Sequence, residues 1–348
     1  MGATMTTMMR REIAEQPEAL RATLRALLPR RDEVRALGSA ARQVLFIARG
    51  TSDNAAVYGR YLLEAYAGRP AALAAPSVAT VYRRRMDLDG VLAVALSQSG
   101  RTEEIVETLA WAKDCGARTV AITNGGPESP LAQAADLALC TEAGEEKAVP
   151  ATKTYTTQLA ALAVLALALG AEVDAADLER APDAVAALLD DPGDLDAVVD
   201  GLAGVAGAVV SGRGMAFSTA LELALKLKEA CYLHAMGLSY ADLLHGPIAV
   251  VDADTPAILV AAGSGPTLSG TVALAERVRS AGAAAYGVGG DDTLAAACTA
   301  RLNGPDLPEW VAPIGLIVPG QLVTEALARR LGIDPDSPRG LRKVTQTD

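Results

Sequence analysis

Six consecutive residues, Ser97-Gln98-Ser99-Gly100-Arg101-Thr102, gather three hydroxyls, a carboxamide and a glycine. Hydroxyls can donate to an oxyanion, and a glycine lets backbone N–H groups approach it with no side chain in the way. A helix starting directly afterwards adds unpaired N–H groups and a partial positive charge of about half a unit. A plain helix N-cap is the simpler explanation, since Ser and Thr are favoured there. Three hydroxyls, a Gln and a Gly around one helix start go beyond what a cap needs. The Gly-Lys-Ser/Thr ending of a nucleotide P-loop is missing, so the chemistry indicated is a grip on one phosphate rather than on ATP. Gly50-Thr51-Ser52 and Val149-Pro150-Ala151-Thr152-Lys153 share the turn-then-helix character and would line the same crevice from other strands.

A second set of residues could move protons. Ala220 to Leu233 reads ALELALKLKEACYL, strongly helical and largely apolar. Glu222, Lys226 and Glu229 are spaced four and three apart, so they share one face, while Lys228 points elsewhere. Such spacing usually means a solvated stripe of ion pairs. Here the other faces are almost wholly apolar, which aims the charges at an interface or cleft. Only two histidines occur. His245, in Leu243-Leu244-His245-Gly246-Pro247, falls in a turn from which it could reach a substrate and titrate near neutrality. His234 reads as a satisfied core histidine within the apolar helix.

These residues need elements to hold them. The first forty residues, apolar at Leu20, Leu24, Leu27 and Leu28, read as a helical lead-in. Strands are expected at 44–48, 91–96 and 119–123, with helices after the first two, one ending near Glu64 and one running from Thr102 to about Cys115. The order then recurs. Ala208-Val209-Val210-Ser211-Gly212-Arg213-Gly214 repeats the pattern of 45–50, and Ala262-Gly263-Ser264-Gly265-Pro266-Thr267 repeats that of 98–102. Gly50 and Gly100 lie 50 residues apart, Gly214 and Gly265 lie 51 apart, and the period is near 164. That is too long for a solenoid and means two copies of one domain. The expected fold is α/β: two tandem doubly wound parallel-sheet domains, each an α/β/α sandwich, with a C-terminal tail. The boundaries are 1–40 for the lead-in, 41–170 for the first domain, 171–192 for a helical connection, 193–332 for the second domain and 333–348 for the tail. The second loop keeps fewer donors and reads as structural.

Composition narrows the partners. Of the 348 residues, 51% are hydrophobic but only 3% aromatic, so the core must be built from Ala, Leu and Val. The net charge of -11 leaves no wide basic surface for nucleic acid. Four cysteines far apart and two histidines offer no metal cluster, and no cofactor is indicated. The cysteines read as small buried apolar residues of a reducing compartment. The longest apolar run, 159–169, falls short of the ~20 residues needed to cross a bilayer. No signal core precedes the first domain, so a cytoplasmic location is expected.

Taken together, RGTS (49–52), SQSGRT (97–102), ATKTYTTQL (151–159), ALKLKE (224–229), HGP (245–247) and LRKVTQTD (341–348) resemble the sugar isomerase (SIS) family over nearly the whole chain. More closely, they resemble the isomerase half of the glutamine–fructose-6-phosphate amidotransferases. The resemblance implies that Ser97, Gln98, Ser99 and Thr102 bind the phosphate of a hexose 6-phosphate, with Ser52, Thr51, Thr152 and Val149 contacting phosphate or sugar. It implies Glu229 as the base between C1 and C2, His245 as the ring-opening residue supplied by the neighbouring subunit of a homodimer, and Lys226 and Lys343 as assisting lysines. Two positions depart from the amidotransferase pattern: Arg49 stands where that family has cysteine, and Met236 where it has glutamate. From the start Met1-Gly2-Ala3, no glutaminase domain is expected ahead of the first domain. RGTSDNA, AGEEKAVPATK (143–153) and the closing GLRKVTQTD look more like the SIS-type glucosamine-6-phosphate deaminases. The expectation is therefore conversion of glucosamine 6-phosphate to fructose 6-phosphate and ammonia. The rivals are the synthetic isomerase direction, a fructosamine-6-phosphate deglycase and a non-catalytic sugar-phosphate sensor.

Overall fold

A computed structural model describes residues 6–343. The start at Met1-Gly2-Ala3 and the tail beyond Lys343 lie outside the described residues. Within them the chain divides into two compact units, residues 18–145 with 153–179, and residues 6–17 with 146–152 and 180–343.

The chain opens with α1 (Met8–Ala14), α2 (Gln16–Leu27) and α3 (Arg31–Gly38), so the lead-in is helical as its apolar spacing indicates. The first sheet follows. Its elements are β1 (Gln43–Ile47), α4 (Gly50–Tyr66), β2 (Ala71–Leu73), α5 (Ser77–Thr80), β3 (Val91–Ser97), α6 (Glu103–Asp114), β4 (Arg118–Thr123), α7 (Pro130–Ala134) and β5 (Leu137–Cys140). All pairings are parallel, in the order β2-β1-β3-β4-β5. β3 is central and buried along its whole length, which explains its unbroken run Val91-Leu92-Ala93-Val94-Ala95-Leu96. Ile47, Val91, Ala93, Ile105 and Leu109 share one core cluster beneath α6, where each fully buried Val, Leu or Ile contributes roughly 1.5–3 kcal/mol. The helix α8 (Lys153–Ala168) packs on α4.

After α9 (Ala175–Glu179), α10 (Ala181–Asp190) and α11 (Leu195–Leu202), the second sheet repeats the first. It comprises β6 (Gly207–Gly212), α12 (Ala216–Cys231), β7 (His234–Ser239), α13 (Tyr240–Leu244), β8 (Ala257–Ala261), α14 (Leu268–Ser280), β9 (Ala285–Gly289), α15 (Asp292–Ala297) and β10 (Ala300–Leu302). The order β7-β6-β8-β9-β10, again all parallel, maps onto the first sheet strand for strand. The long helix α16 (Pro313–Arg330) closes the unit against α12 and α10. Two parallel sheets of five strands with flanking helices make the fold α/β, as two tandem domains.

Two sequence expectations need correction. His234 is not a core histidine in a helix; it is exposed and opens β7. The helix stops at Tyr232, whose φ of +56° is left-handed and turns the chain out of α12. Of the cysteines, Cys115, Cys231 and Cys298 are buried, but Cys140, at the end of the edge strand β5, is only half-buried. Burial pushes the thiol of Cys298 up to about 11 and that of Cys231 to about 12. Among the described residues no helix is long and apolar enough to cross a membrane, and no His/Cys/Asp/Glu group could hold a metal.

Candidate functional site

The loop 97–102 leaves the carboxyl end of the central strand β3, where open parallel sheets bind ligands. Its shape is fixed from within. The N–H of Gly100 donates to Ser97 Oγ at 3.2 Å, and the N–H of Arg101 donates to Ser99 Oγ at 3.2 Å. The Gln98 carbonyl accepts the Asn124 N–H at 3.1 Å. Gly100 has φ +64°, and a Cβ there would lie 2.6 Å from Ser129 Oγ and 2.8 Å from Thr123 Oγ1. Only glycine fits. Thr102 occupies the N-cap position of α6, yet its side chain makes no capping hydrogen bond; its Oγ1 faces Ser97 Oγ at 3.4 Å. The Ser97 and Thr102 hydroxyls thus face one another at a helix start instead of serving as a cap. This arrangement suits an oxyanion.

Two acidic residues, Glu103 and Glu104, occupy the first turn of α6. Arg49, in the turn after β1, forms a two-pronged bridge to Glu104, with Nε to Oε2 and a terminal nitrogen to Oε1 both at 2.9 Å. The guanidinium therefore offsets a charge that would repel a phosphate, a task the family's usual cysteine could not do. In the same unit Ser52, in the first turn of α4, is buried and accepts a hydrogen bond from Gln158 Nε2 of α8 at 3.0 Å. Thr51 precedes it on α4, partly buried.

In the other unit, α12 carries the charged face. Glu222 and Lys226 are 0% and 1% exposed, so the face is not a solvated stripe. Lys226 Nζ lies 3.4 Å from Glu222 Oε1 and 2.5 Å from Glu229 Oε2. Burial alone would push the Lys226 pKa down, but Glu222, Glu229 and Glu146 outweigh it and hold it above the usual lysine value. Lys226 is therefore a fixed ammonium, a donor and not a base. Glu229 is the outer member of the triad, with its side chain 23% exposed. Lys228 is exposed, as the spacing indicates.

A second lysine is held by groups far away in sequence. Lys343 Nζ donates to Glu146 Oε2 and to the Ala148 carbonyl, each at 2.7 Å. Glu146 also accepts the Thr152 N–H at 2.9 Å and the Thr152 hydroxyl at 3.3 Å. Thr152 is itself fully buried. The segment 146–148 is pinned from α1, where Glu12 Oε1 accepts the Lys147 N–H at 2.5 Å and Oε2 accepts the Ala148 N–H at 3.2 Å. Burial raises the Glu12 pKa, partly offset by those N–H groups. The tail is fastened at two further points. Asp336 accepts the N–H groups of Met8 and Met9 at 2.8 and 2.7 Å, and its carbonyl accepts the Val149 N–H at 3.0 Å. The Arg339 guanidinium stacks 4.2 Å over the Tyr232 ring, and the backbone N–H of Arg339 donates to Tyr232 Oη at 2.7 Å.

His245 sits exposed in the turn closing α13, its backbone N–H bonded to the Asp242 carbonyl at 3.1 Å. Its side chain is outside the Lys226 and Lys343 networks. Sequence reasoning passed over Glu12, Glu146 and Gln158. Their partners lie more than a hundred residues away or, for Glu146, across the irregular segment 141–152, so no helical or strand spacing announces them.

Comparison with known proteins agrees with the repeated architecture. The family profile described as "SIS domain" matches residues 39–168 and 202–328. The glutamine–fructose-6-phosphate aminotransferase [isomerizing] of Methanothermobacter thermautotrophicus is 35% identical over 343 residues, covering 98% of this chain and 57% of that protein. The chain thus spans little more than half the length of that relative. A Silicibacter pomeroyi crystal structure, described as a candidate phosphosugar isomerase, is 34% identical with a TM-score of 0.87, covering 95% of this chain and 100% of its own. The C-terminal domain of glucosamine-fructose-6-phosphate aminotransferase from Francisella tularensis is 29% identical with a TM-score of 0.86, covering 97% and 100%. With both sheets inside matched segments and a relative aligned along almost the whole chain, this protein belongs to the SIS domain family.

Proposed function

We propose that this chain is an aldose–ketose isomerase of a hexose 6-phosphate with nitrogen at C2, interconverting the glucosamine 6-phosphate and fructose 6-phosphate skeletons. The observation that carries the proposal is the α12 triad: two buried charges support one outward carboxylate, Glu229, beside a fixed ammonium. Moving a proton between adjacent carbons needs one such carboxylate, with a cation for the charge that develops on oxygen. The relatives' names, both of which contain fructose 6-phosphate and one of which adds isomerisation, support the choice of substrate.

Ser97, Gln98, Ser99 and Thr102 hold the phosphate, with Thr51 and Ser52 beside them. Val149 and Thr152 contact the sugar through the segment that Glu12 and Glu146 fix. His245, given by a partner subunit in a homodimer, opens the ring with Lys226. Glu229 takes the C2 proton of the open aminoaldehyde. Lys226 and Lys343 steady the oxygen at C1 as the enolamine forms. Return of the proton to C1 gives a C2 ketimine. Water adds to the C=N bond, ammonia leaves, and C2 becomes the carbonyl of fructose 6-phosphate. The motifs RGTSDNA and AGEEKAVPATK favour this deaminating direction over synthesis or deglycation.

Purified chain is to be offered glucosamine 6-phosphate, fructose 6-phosphate with ammonium, a fructosamine 6-phosphate, glucose 6-phosphate and unphosphorylated glucosamine. The expected result is fructose 6-phosphate and ammonia in equal amounts from glucosamine 6-phosphate, with the unphosphorylated sugar at least ~100-fold poorer. Turnover of the fructosamine alone would move the proposal to a deglycase. Turnover of none would leave a sensor and end the enzymatic reading. Mixing Glu229→Gln with His245→Ala chains tests the shared site, because regained activity requires the two residues to come from different subunits.

A further inference from the structure

Two polar residues stand on the inward face of the lead-in, where a core would use apolar ones. Met9, Glu12, Ile13 and Gln16 follow the i, i+3, i+4, i+7 spacing of a buried helical stripe. All four are buried, Gln16 completely. Burial raises the Glu12 pKa, so its surroundings disfavour the charge. Gln16 Oε1 has no hydrogen-bond partner among the described residues. As contributions to stability both side chains are poor choices beside a leucine or a methionine.

What they do hold is the segment 146–152, one residue group from each end. At its front, Glu12 accepts the N–H groups of Lys147 at 2.5 Å and Ala148 at 3.2 Å. At its back, Gln16 Nε2 donates to the Ile13 carbonyl at 3.0 Å and to Gln321 Oε1 of α16 at 2.9 Å. Gln321 Nε2 in turn donates to the Thr152 carbonyl at 3.4 Å. The segment belongs to no helix or strand, so no ladder of its own fixes it, and a site residue on such a segment is only as well placed as the groups that hold it. Val149 and Thr152 lie on it, and its Glu146 binds Lys343. The profile match begins at residue 39, so the lead-in that supplies both clamps lies outside the matched domain segments.

We propose that Glu12 and Gln16 are positioning residues of the site: they set the two ends of 146–152, so that Val149 and Thr152 meet the sugar and Glu146 places Lys343 beside it. The inference rests on the proposed function. It makes the lead-in part of the sugar-binding half of the site, while the phosphate remains the work of the loop at Ser97.

The test is calorimetric titration of the full chain with fructose 6-phosphate and with inorganic phosphate, alongside turnover of glucosamine 6-phosphate. Gln16→Leu/Gln321→Leu removes both carboxamides together, so neither is left facing a lost partner, and its unfolding midpoint equals or exceeds the parent's. Its Kd for fructose 6-phosphate nevertheless rises about tenfold, the equivalent of one hydrogen bond. Its Kd for inorganic phosphate stays at the parent's value, and kcat falls by a factor similar to the loss in sugar affinity. Glu12→Ala shows the same split between sugar and phosphate. Glu12→Gln, which keeps the shape and one acceptor, shows it more weakly and covers the case in which the alanine variant folds poorly. A scaffold role alone predicts the reverse, lost stability with the two ligands affected alike. A parent that neither binds nor turns over any sugar phosphate would end the proposed function and this inference with it. A parent that does both, with variants that keep its Kd and kcat or lose sugar and phosphate affinity in step, would end this inference alone.

Discussion

Replacing Lys226 by methionine isolates the feature on which the proton-transfer site is built. The substitution keeps the length of the side chain and removes its ammonium from between Glu222 and Glu229. At 3.4 Å from Nζ, the Glu222 oxygen is attracted by ~5 kcal/mol at an effective dielectric constant of ~20. Because Glu222 is fully buried, losing Lys226 removes the ammonium beside a carboxylate that cannot turn to water. Breaking one side of a buried pair costs about 3–5 kcal/mol. For a unit of this size that lowers the midpoint of unfolding by about 10 °C. The loss depends on pH. Without the ammonium, burial holds the Glu222 pKa of the folded variant above its unfolded value of ~4.3. The folded variant then binds that proton more tightly than the unfolded chain does, so its deficit is full above the raised pKa and shrinks as pH falls through it. In the unaltered protein the raised Lys226 pKa works the other way. Its stabilisation is complete below ~10.4 and is lost as pH rises through the folded value. Thermal unfolding followed by circular dichroism between pH 4.5 and 8 is the assay, with Glu222→Gln/Lys226→Met alongside. The double variant should regain roughly half of the loss and lose the pH dependence, since no buried charge is left at position 222. A single variant within about 1 kcal/mol of the parent at pH 8, with a flat pH profile, would show that the triad is not the buried charge network described.

Other perturbations address the rest of the site. Gly100→Ala forces a side chain into a left-handed position against Ser129 and Thr123. It should cost about 1–3 kcal/mol and raise KM for the phosphorylated substrate more than it lowers kcat, as urea unfolding and steady-state kinetics would show. Asp336→Ala frees the Met8 and Met9 N–H groups and should cost about 1 kcal/mol, with faster hydrogen exchange confined to α1 and the tail. Thiol reagents at pH 8 should modify half-buried Cys140 first, while Cys231 and Cys298 react only on unfolding. Early labelling of Cys231 would contradict its place beneath α16.

Much of the fold was legible because buried parallel strands announce themselves as continuous apolar runs. The segments around 44–47, 91–97, 118–123 and 207–212 are of that kind. The edge strands were not legible. β2 and β10 have three residues each, too few for any pattern, and β7 follows a strongly helical sequence with no glycine or proline to mark the break at Tyr232. The oxyanion loop and the α12 face could be read because their residues are close in sequence and one periodicity governs them. The Glu12, Glu146 and Lys343 network could not be read this way. It joins a first helix taken for scaffold, a mid-chain loop and the tail, and only tertiary packing brings them together.

The most direct test of the account follows the proton itself. Glucosamine 6-phosphate is incubated with the protein in deuterium oxide, and the hydrogens at C1 and C2 of substrate and product are monitored by NMR. Solvent deuterium is expected at C1 of the fructose 6-phosphate formed, because the proton held on part-exposed Glu229 exchanges with solvent before it is returned. The account also predicts that Glu229→Gln lowers the rate by at least ~100-fold while leaving the fold and phosphate binding intact. Turnover and exchange in Glu229→Gln at the parent's rate would contradict it.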